Sequence, residues 1–141
     1  MHSKRILVVD DNAIVRRTLR EIIEENPAWQ ICGEGDNGRV AIELARKLHP
    51  DIVVLDFLMP TMNGLQAAEC IRRFAPRTKI LLFTSENSPR LVRRARDCGV
   101  RQVICKAGGG YLHLLDSIQQ AEHPGTKVSG KARRKRKSKL H

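Results

Sequence analysis

Four short runs of apolar residues, separated by stretches of helical periodicity, constrain the fold of this chain more than any other feature. The runs are Ile6–Val9, Ile52–Leu55, Ile80–Phe83 and Val103–Cys105. Apolar runs of this length, bounded by turn-forming residues, are typical of buried parallel strands. Their alternation with helical patterns predicts an α/β fold, a doubly wound five-stranded parallel sheet with helices on both faces.

The predicted elements follow from the same patterns. Strands are predicted at residues 5–10, 29–33, 51–56, 79–84 and 101–105. Helical spacing covers residues 14–23 and 40–48, with Asn12 as the predicted N-cap of the first helix. Further helices are predicted at 64–74, from Ser88-Pro89 to Gly99, and at 111–121.

The positive charge of the chain is concentrated towards its C-terminal end. The 141 residues have a formal net charge of +11, and residues 122–141 contain eight Lys and Arg against one acidic residue. Apolar residues almost vanish after Pro124-Gly125. Residues 1–121 are therefore predicted to form one domain, and 122–141 a basic, disordered tail.

The cysteines and the N-terminus indicate a cytoplasmic protein. Cys32, Cys70, Cys98 and Cys105 are widely spaced and lack the spacing of zinc ligands. They are interpreted as reduced thiols. We find no signal peptide and no apolar stretch long enough to span a membrane.

Charged and hydroxyl side chains stand at the C-terminal ends of the four apolar runs. Asp10 and Asp11 follow the first run, Asp56 the second, Thr84 the third and Lys106 the fourth. Ligands of open parallel sheets bind beyond the carboxyl ends of the strands. These five residues are therefore predicted to converge on one edge, in a layout that suits a divalent cation and a phosphoryl group.

The charges of these groups indicate how such a site would work. Three close carboxylates repel one another unless a cation compensates them, and Mg²⁺ fits an oxygen-rich site. Lys106 would supply a positive charge for a phosphate oxygen, and Thr84 a hydroxyl donor. Asp56 lies between the two poles and is the predicted nucleophile for an aspartyl phosphate.

Each residue taken alone has a simpler structural explanation. Asp10-Asp11 can cap a helix, and Asp56 can cap a helix or a turn. Lys106 can be a solvated surface charge, and Thr84 can be present because β-branched residues favour strands. The functional interpretation depends on their joint occurrence at four strand ends in this order.

Residues 4–121 resemble the receiver domain of two-component response regulators. The matching stretches are Ile6–Asp11, Asp56–Gly64, Leu82–Ser85 and Val103–Lys106. The second contains Asp-x-x-Met-Pro-x-x-x-Gly, whose spacing is highly specific. The resemblance implies a flavodoxin-like (βα)5 fold with strand order 2-1-3-4-5. The stretch Gly33–Gly38, with no Pro after Lys106, favours the NarL-like subgroup.

The resemblance also implies the role of each residue at the predicted phosphorylation site. Asp56 would accept a phosphoryl group from a sensor histidine kinase or a phosphotransfer protein. Lys106 would pair with Asp56 and its phosphate, and Thr84 would hydrogen-bond the phosphate and move towards it. The three residues are the predicted catalytic groups.

The metal site implied by the resemblance uses four residues. Asp11, Asp56 and the backbone carbonyl of Leu58 would bind Mg²⁺, and Asp10 would act partly through water. Leu58, together with Glu86, occupies a position that tunes the loss of phosphate in receivers.

Two features depart from the receiver pattern. The position three residues before Lys106 is usually aromatic and is Val103 here, so activation is expected to travel through the loop after the fourth strand and the fourth helix. The run Gly108–Gly110 is expected to make the loop after the fifth strand flexible.

The expected function is a stand-alone, phosphorylation-switched receiver that acts through protein–protein contacts and is not a turnover enzyme. One alternative is a receiver that signals without phosphate. A phosphohydrolase is disfavoured, because no second acid stands two positions after Asp10. Whether phosphorylation produces a dimer stays open.

The basic residues suggest a further alternative function. The basic tail would contact nucleic acid, an anionic membrane surface or an acidic protein, or would only keep the chain soluble. Contact with nucleic acid would have no sequence preference and would use Lys131, Arg133, Arg134, Lys135, Arg136 and Lys137. The predicted fourth helix carries four arginines that would bind an acidic partner, oppose self-pairing or simply form a solvated face.

Overall fold

The structure, a computed structural model, describes residues 3–122, in which five parallel strands alternate with five helices. None of the helices in this part of the chain has the length and apolar character needed to cross a membrane. The strands are β1 Lys4–Val9, β2 Trp29–Gly35, β3 Ile52–Leu55, β4 Lys79–Thr84 and β5 Gln102–Cys105. The helices are α1 Ala13–Ile23, α2 Gly38–Leu48, α3 Gly64–Phe74, α4 Pro89–Asp97 and α5 Gly110–Glu122.

The strands form one sheet in the order β2-β1-β3-β4-β5, with every neighbouring pair parallel. The predicted fold class and strand order are therefore confirmed. From β1 the chain adds β2 on one side of that strand and then crosses back to place β3 on the other side. The strand order therefore reverses between β1 and β3, which are hydrogen-bonded neighbours. A crevice opens at such a switch point beyond the carboxyl ends of the strands, and it is the usual position of a site in this architecture.

Two hydrophobic cores lie on opposite faces of the sheet. Successive side chains of a strand point to opposite faces, so Leu7 and Val9 belong to the core that includes residues of α2, α3 and α4. Ile6 and Val8 belong to the core that includes residues of α1 and α5. Both faces of the central strands are buried, which explains their uninterrupted apolar sequence.

Polar side chains define where four of the helices begin. Asn12, Asn37, Asn63 and Ser88 each accept a hydrogen bond from a backbone N–H of the first helical turn. The predicted N-cap of α1 at Asn12 is thus confirmed. The cap at Asn37 starts α2 at Gly38, two residues before its first strongly apolar position.

Strand β2 is two residues longer than predicted. It continues to Gly35, which pairs with Val9 of β1. A Cβ atom on Gly35 would lie 2.9 Å from Val40, and one on Gly33 would lie 2.7 Å from Leu48. Helix α2 packs so closely against β2 that a side chain at either position would overlap with it. This close packing explains the two glycines within a strand, where glycine is usually unfavourable.

The predicted basic tail begins at residue 122, the last residue of α5. The expectation that it is disordered concerns residues 123–141, which lie outside the described residues.

Candidate functional site

The carboxyl ends of three strands place the principal charged residues at one edge of the sheet. Asp10 follows β1, Asp56 follows β3 and Lys106 follows β5. Their backbone N–H groups continue the sheet, donating to the carbonyl oxygens of residues 35, 9 and 84 at 3.0, 3.0 and 2.9 Å. These hydrogen bonds fix the backbone of the three residues, so the Cα atoms that carry the charged side chains are held in place.

Three carboxylates form an acidic cluster at this edge. Oxygen atoms of Asp10, Asp11 and Asp56 all lie within 4.8 Å of one another. Asp10 and Asp56 are buried, with 2% and 7% of their surfaces exposed, whereas Asp11 is exposed. The cluster therefore has two carboxylates anchored in the fold and a third that faces solvent.

The Lys106 ammonium bridges the two buried carboxylates. Its Nζ atom lies 2.8 Å from Oδ2 of Asp10 and 3.1 Å from Oδ2 of Asp56. The structure thus brings Lys106 next to Asp56, as the predicted pairing requires. It also shows the shorter contact to Asp10, which the sequence pattern does not predict.

Burial and neighbouring charge shift the pKa values of two of these groups. Burial raises the pKa of Asp10 above its usual 3.8, and the nearby Asp56 carboxylate raises it further, although Lys106 and the Asn12 N–H oppose the shift. Burial alone would lower the pKa of Lys106, but the hydrogen bond and charge of Asp10 and the charge of Asp56 raise it overall. Lys106 therefore stays charged, and a further cation close to Asp10 would favour its ionised form.

The backbone around Asp56 is tightly packed. Oδ1 of Asp56 accepts a hydrogen bond from the Phe57 N–H at 2.7 Å. The Gly64 N–H, at the start of α3, donates to the Phe57 carbonyl, also at 2.7 Å. A Cβ atom on Gly64 would lie 2.0 Å from the Asp56 carbonyl oxygen. The loop after β3 can therefore close against Asp56 only with glycine at position 64.

Thr84 and Leu58 lie beside the charged groups. Thr84 ends β4 and is 2% exposed, and within residues 3–122 its hydroxyl makes no hydrogen bond. Leu58 lies two residues after Asp56, and its side chain is 64% exposed. The roles of the Thr84 hydroxyl and the Leu58 carbonyl stay predictions.

The Phe83 ring lies next to Lys106 and is itself packed against a second aromatic ring. Lys106 Nζ lies 6.0 Å from the centre of the Phe83 ring, within reach of a cation–π interaction. Tyr111 of α5 packs edge-on against the same ring at 5.2 Å between centroids. Phe83 belongs to an apolar run, so its sequence context gave no signal of this contact.

The donor set suits a hard divalent cation. Three carboxylates and one ammonium leave an excess of two negative charges. Carboxylate oxygens are the ligands that hard cations prefer, and the exposed Asp11 leaves the cluster open to solvent. The residues present therefore fit the predicted Mg²⁺ site.

Replacing Asp10 with Asn is expected to stabilise the metal-free protein by on the order of 1 kcal/mol at neutral pH. The folded protein must ionise a buried carboxyl whose pKa is raised, whereas the unfolded chain ionises it at 3.8. The contribution of Asp10 to stability therefore falls as the pH rises from 3.8 to the raised pKa, and it is constant above that pKa. The measurement is urea unfolding with a chelator present, across this pH range.

Asp11→Asn is the matched control for that experiment, because it removes an exposed carboxylate of the same cluster. It is expected to change the metal-free stability by less than about 0.5 kcal/mol. A destabilised Asp10→Asn protein at neutral pH would show that the bond to Lys106 outweighs the cost of burial.

Comparison with known proteins agrees with the fold described above. A family model for the response regulator receiver domain matches residues 6–119. The transcriptional regulatory protein YdfI of Bacillus subtilis is 37% identical over 115 residues, which cover 80% of this chain. The chain spans only 54% of the length of YdfI.

Solved structures give the same result. The response regulator domain of Thermotoga maritima CheB superposes with a TM-score of 0.79 at 32% identity, covering 85% of this chain and 96% of that one. The receiver domain of NarL from Mycobacterium tuberculosis superposes with a TM-score of 0.78 at 26% identity, covering 87% and 99%. The chain therefore belongs to the family of response regulator receiver domains, the phosphoacceptor modules of two-component signalling.

Proposed function

We propose that Asp56 is the phosphoacceptor of this receiver and that Asp10, Asp11, Asp56 and the Leu58 carbonyl hold Mg²⁺. The observation that carries the proposal is the position of Lys106, whose ammonium lies 2.8 Å from Asp10 and 3.1 Å from Asp56. A charged donor is thus placed where a phosphoryl group on Asp56 would need one.

The reaction transfers a phosphoryl group to a carboxylate oxygen of Asp56. The bond from phosphorus to the histidine nitrogen of the donor breaks as the bond to Asp56 forms, and the donor nitrogen keeps the electron pair. Lys106 then pairs with a phosphate oxygen, which lowers the cost of bringing negative charge into an acidic pocket. Mg²⁺, when bound, would neutralise the carboxylates and the phosphate oxygens.

Thr84 would respond to the new phosphate. Its hydroxyl has no hydrogen-bond partner among residues 3–122, so it is available to donate to a phosphate oxygen. Such a bond would stabilise one of two arrangements of the loop after β4 and shift the equilibrium between them. Half-buried Val103 packs with the core next to α4, which supports a route through that helix in place of an aromatic switch.

The rest of the proposal concerns partners and location. We propose a sensor histidine kinase or phosphotransfer protein as donor, protein contacts as output, and no turnover of other substrates. Four free cysteines support a cytoplasmic location. Residues 1–121 would form the receiver, and basic residues 131–137 of the tail would add contacts to nucleic acid.

The test is the intact mass of the protein after incubation with acetyl phosphate. A single phosphoryl adduct is expected with Mg²⁺, and its formation rate should fall at least about tenfold when a chelator removes the metal. Without the metal, the carboxylates would repel the incoming phosphate. Equal rates with and without metal would contradict the metal part of the proposal. The absence of any adduct would favour a receiver that works without phosphate.

A further inference from the structure

A basic pocket lies at the amino ends of the strands, at the opposite end of the sheet from the acidic cluster. Its volume is about 420 Å³, and Arg77, Lys79 and Arg101 supply its charged lining. Lys79 begins β4, and Arg101 directly precedes β5. Because all strands are parallel, these residues lie at the amino ends of the strands, whereas Asp56 lies at a carboxyl end.

No acidic residue lines this pocket. Within residues 3–122, the guanidinium groups of Arg77 and Arg101 make no ion pair or hydrogen bond. Arg101 is partly buried, and burial lowers the pKa of its guanidinium with no nearby acid to offset the effect. A desolvated cation without a counter-ion is unfavourable by itself, so an anionic ligand would be stabilised here.

The surrounding sequence extends the positive charge beyond the pocket. Residues 69–105, which include β4, α4 and β5, contain nine Lys and Arg against three acidic residues, one of which, Glu69, pairs with Arg72 and Arg73. Residues 3–68 contain eight Lys and Arg against ten acidic residues. The four arginines of α4 are all exposed. The domain is therefore charged asymmetrically, which suits an extended polyanion better than a small anion.

We propose that this pocket binds a phosphodiester group of a nucleic acid through Arg77, Lys79 and Arg101. A guanidinium presents paired N–H donors that match phosphate oxygens. The pocket has no aromatic residue on which a base could stack. Binding would therefore be independent of base sequence and strongly dependent on salt.

A protein partner fits this edge less well. Protein interfaces depend on buried apolar or aromatic anchors. The large hydrophobic residues exposed within residues 3–122 are Ile14, Leu58 and Leu112, and none of them lines the pocket. A membrane surface also fits less well, because Pro76 is the one exposed apolar residue of the lining and Ile80 is buried. The inference goes beyond the phosphoryl switch, because it requires neither Asp56 nor the acidic cluster.

The test is the affinity of the full-length chain for a labelled duplex DNA of arbitrary sequence, measured by fluorescence anisotropy at several salt concentrations. Removing both guanidinium groups, in Arg77→Ala/Arg101→Ala, is expected to reduce the slope of log K against log salt by about 1.8. The matched control, Arg17→Ala/Arg39→Ala, removes the same charge from exposed positions on α1 and α2 and should change the slope much less.

A charge-preserving variant shows whether a change in the slope comes from the lost charge or from a folding defect. Arg77→Lys/Arg101→Lys should keep the wild-type slope, because counterion release depends on charge. An unchanged slope in the alanine variant, or an equal loss in the matched control, would overturn the proposal. An equal loss of affinity for polyglutamate or for anionic lipid vesicles would overturn the assignment to nucleic acid. Complete loss of DNA binding when the six basic residues of 131–137 are changed to Gln, with no effect of the pocket variant, would also overturn it.

Discussion

Replacing Asp56 with Asn is expected to abolish the phosphoryl adduct that acetyl phosphate forms on this protein. The amide is nearly the same shape as the carboxylate and can still accept the Phe57 N–H at 2.7 Å. It lacks the negative oxygen that attacks phosphorus, so adduct formation should fall by about a thousandfold or more. The measurement is the intact mass over time with Mg²⁺ and excess phosphodonor.

Asp116→Asn is the control for this substitution, because it removes an exposed carboxylate of α5 that is not part of the acidic cluster. It should form the adduct at the wild-type rate. An adduct of equal amount on the Asp56→Asn protein would show that another residue accepts the phosphoryl group. Peptide mapping would then identify that residue, with Asp10 and Asp11 as the first candidates.

The edge that carries the site could be predicted because it depends on topology alone. Apolar runs such as Ile6–Val9 indicate buried parallel strands, and parallel strands bring their carboxyl ends together whatever the details of packing. Asp10, Asp56, Thr84 and Lys106 could therefore be assigned to one edge from their positions after these runs. Distances between them could not be predicted in this way.

The bridge from Lys106 to Asp10 illustrates what sequence could not provide. Both carboxylates are within reach of the long, flexible side chain of Lys106, which directly follows β5. Which one is closer depends on small differences in packing, seen in contacts of 2.8 Å and 3.1 Å. The predicted partner was Asp56 alone, because a sequence pattern carries no information at that scale.

The glycine run after Lys106 shows a second limit. It was expected to loosen the loop, but its three residues differ. Gly108 has a positive φ of 63°, and a Cβ atom on Gly110 would lie 2.3 Å from the Cys105 carbonyl oxygen. Gly109 has no neighbour within 4 Å of that position. Two of the glycines thus meet steric requirements of the backbone, which composition alone could not distinguish from flexibility.

Replacing Gly64 with Ala is expected to lower the free energy of unfolding by about 2–4 kcal/mol. The added Cβ would lie 2.0 Å from the Asp56 carbonyl oxygen, 2.9 Å from its carbonyl carbon and 3.1 Å from Phe57 Cα. All three are backbone atoms, so no rotamer change can relieve the overlap. Either the start of α3 or the end of β3 must move, and urea unfolding measures the cost.

Gly109→Ala is the matched control, since its Cβ would meet open space and its φ is not positive. It should change stability by less than about 0.5 kcal/mol. The two variants also test how closely packing and chemistry are connected at this edge. If the end of β3 moves, Gly64→Ala should also form the Asp56 adduct more slowly under conditions where the protein is still folded. A destabilised protein with an unchanged adduct rate would mean that α3 moves and that β3 holds Asp56 in place. Wild-type stability would contradict the close packing of Gly64 against Asp56.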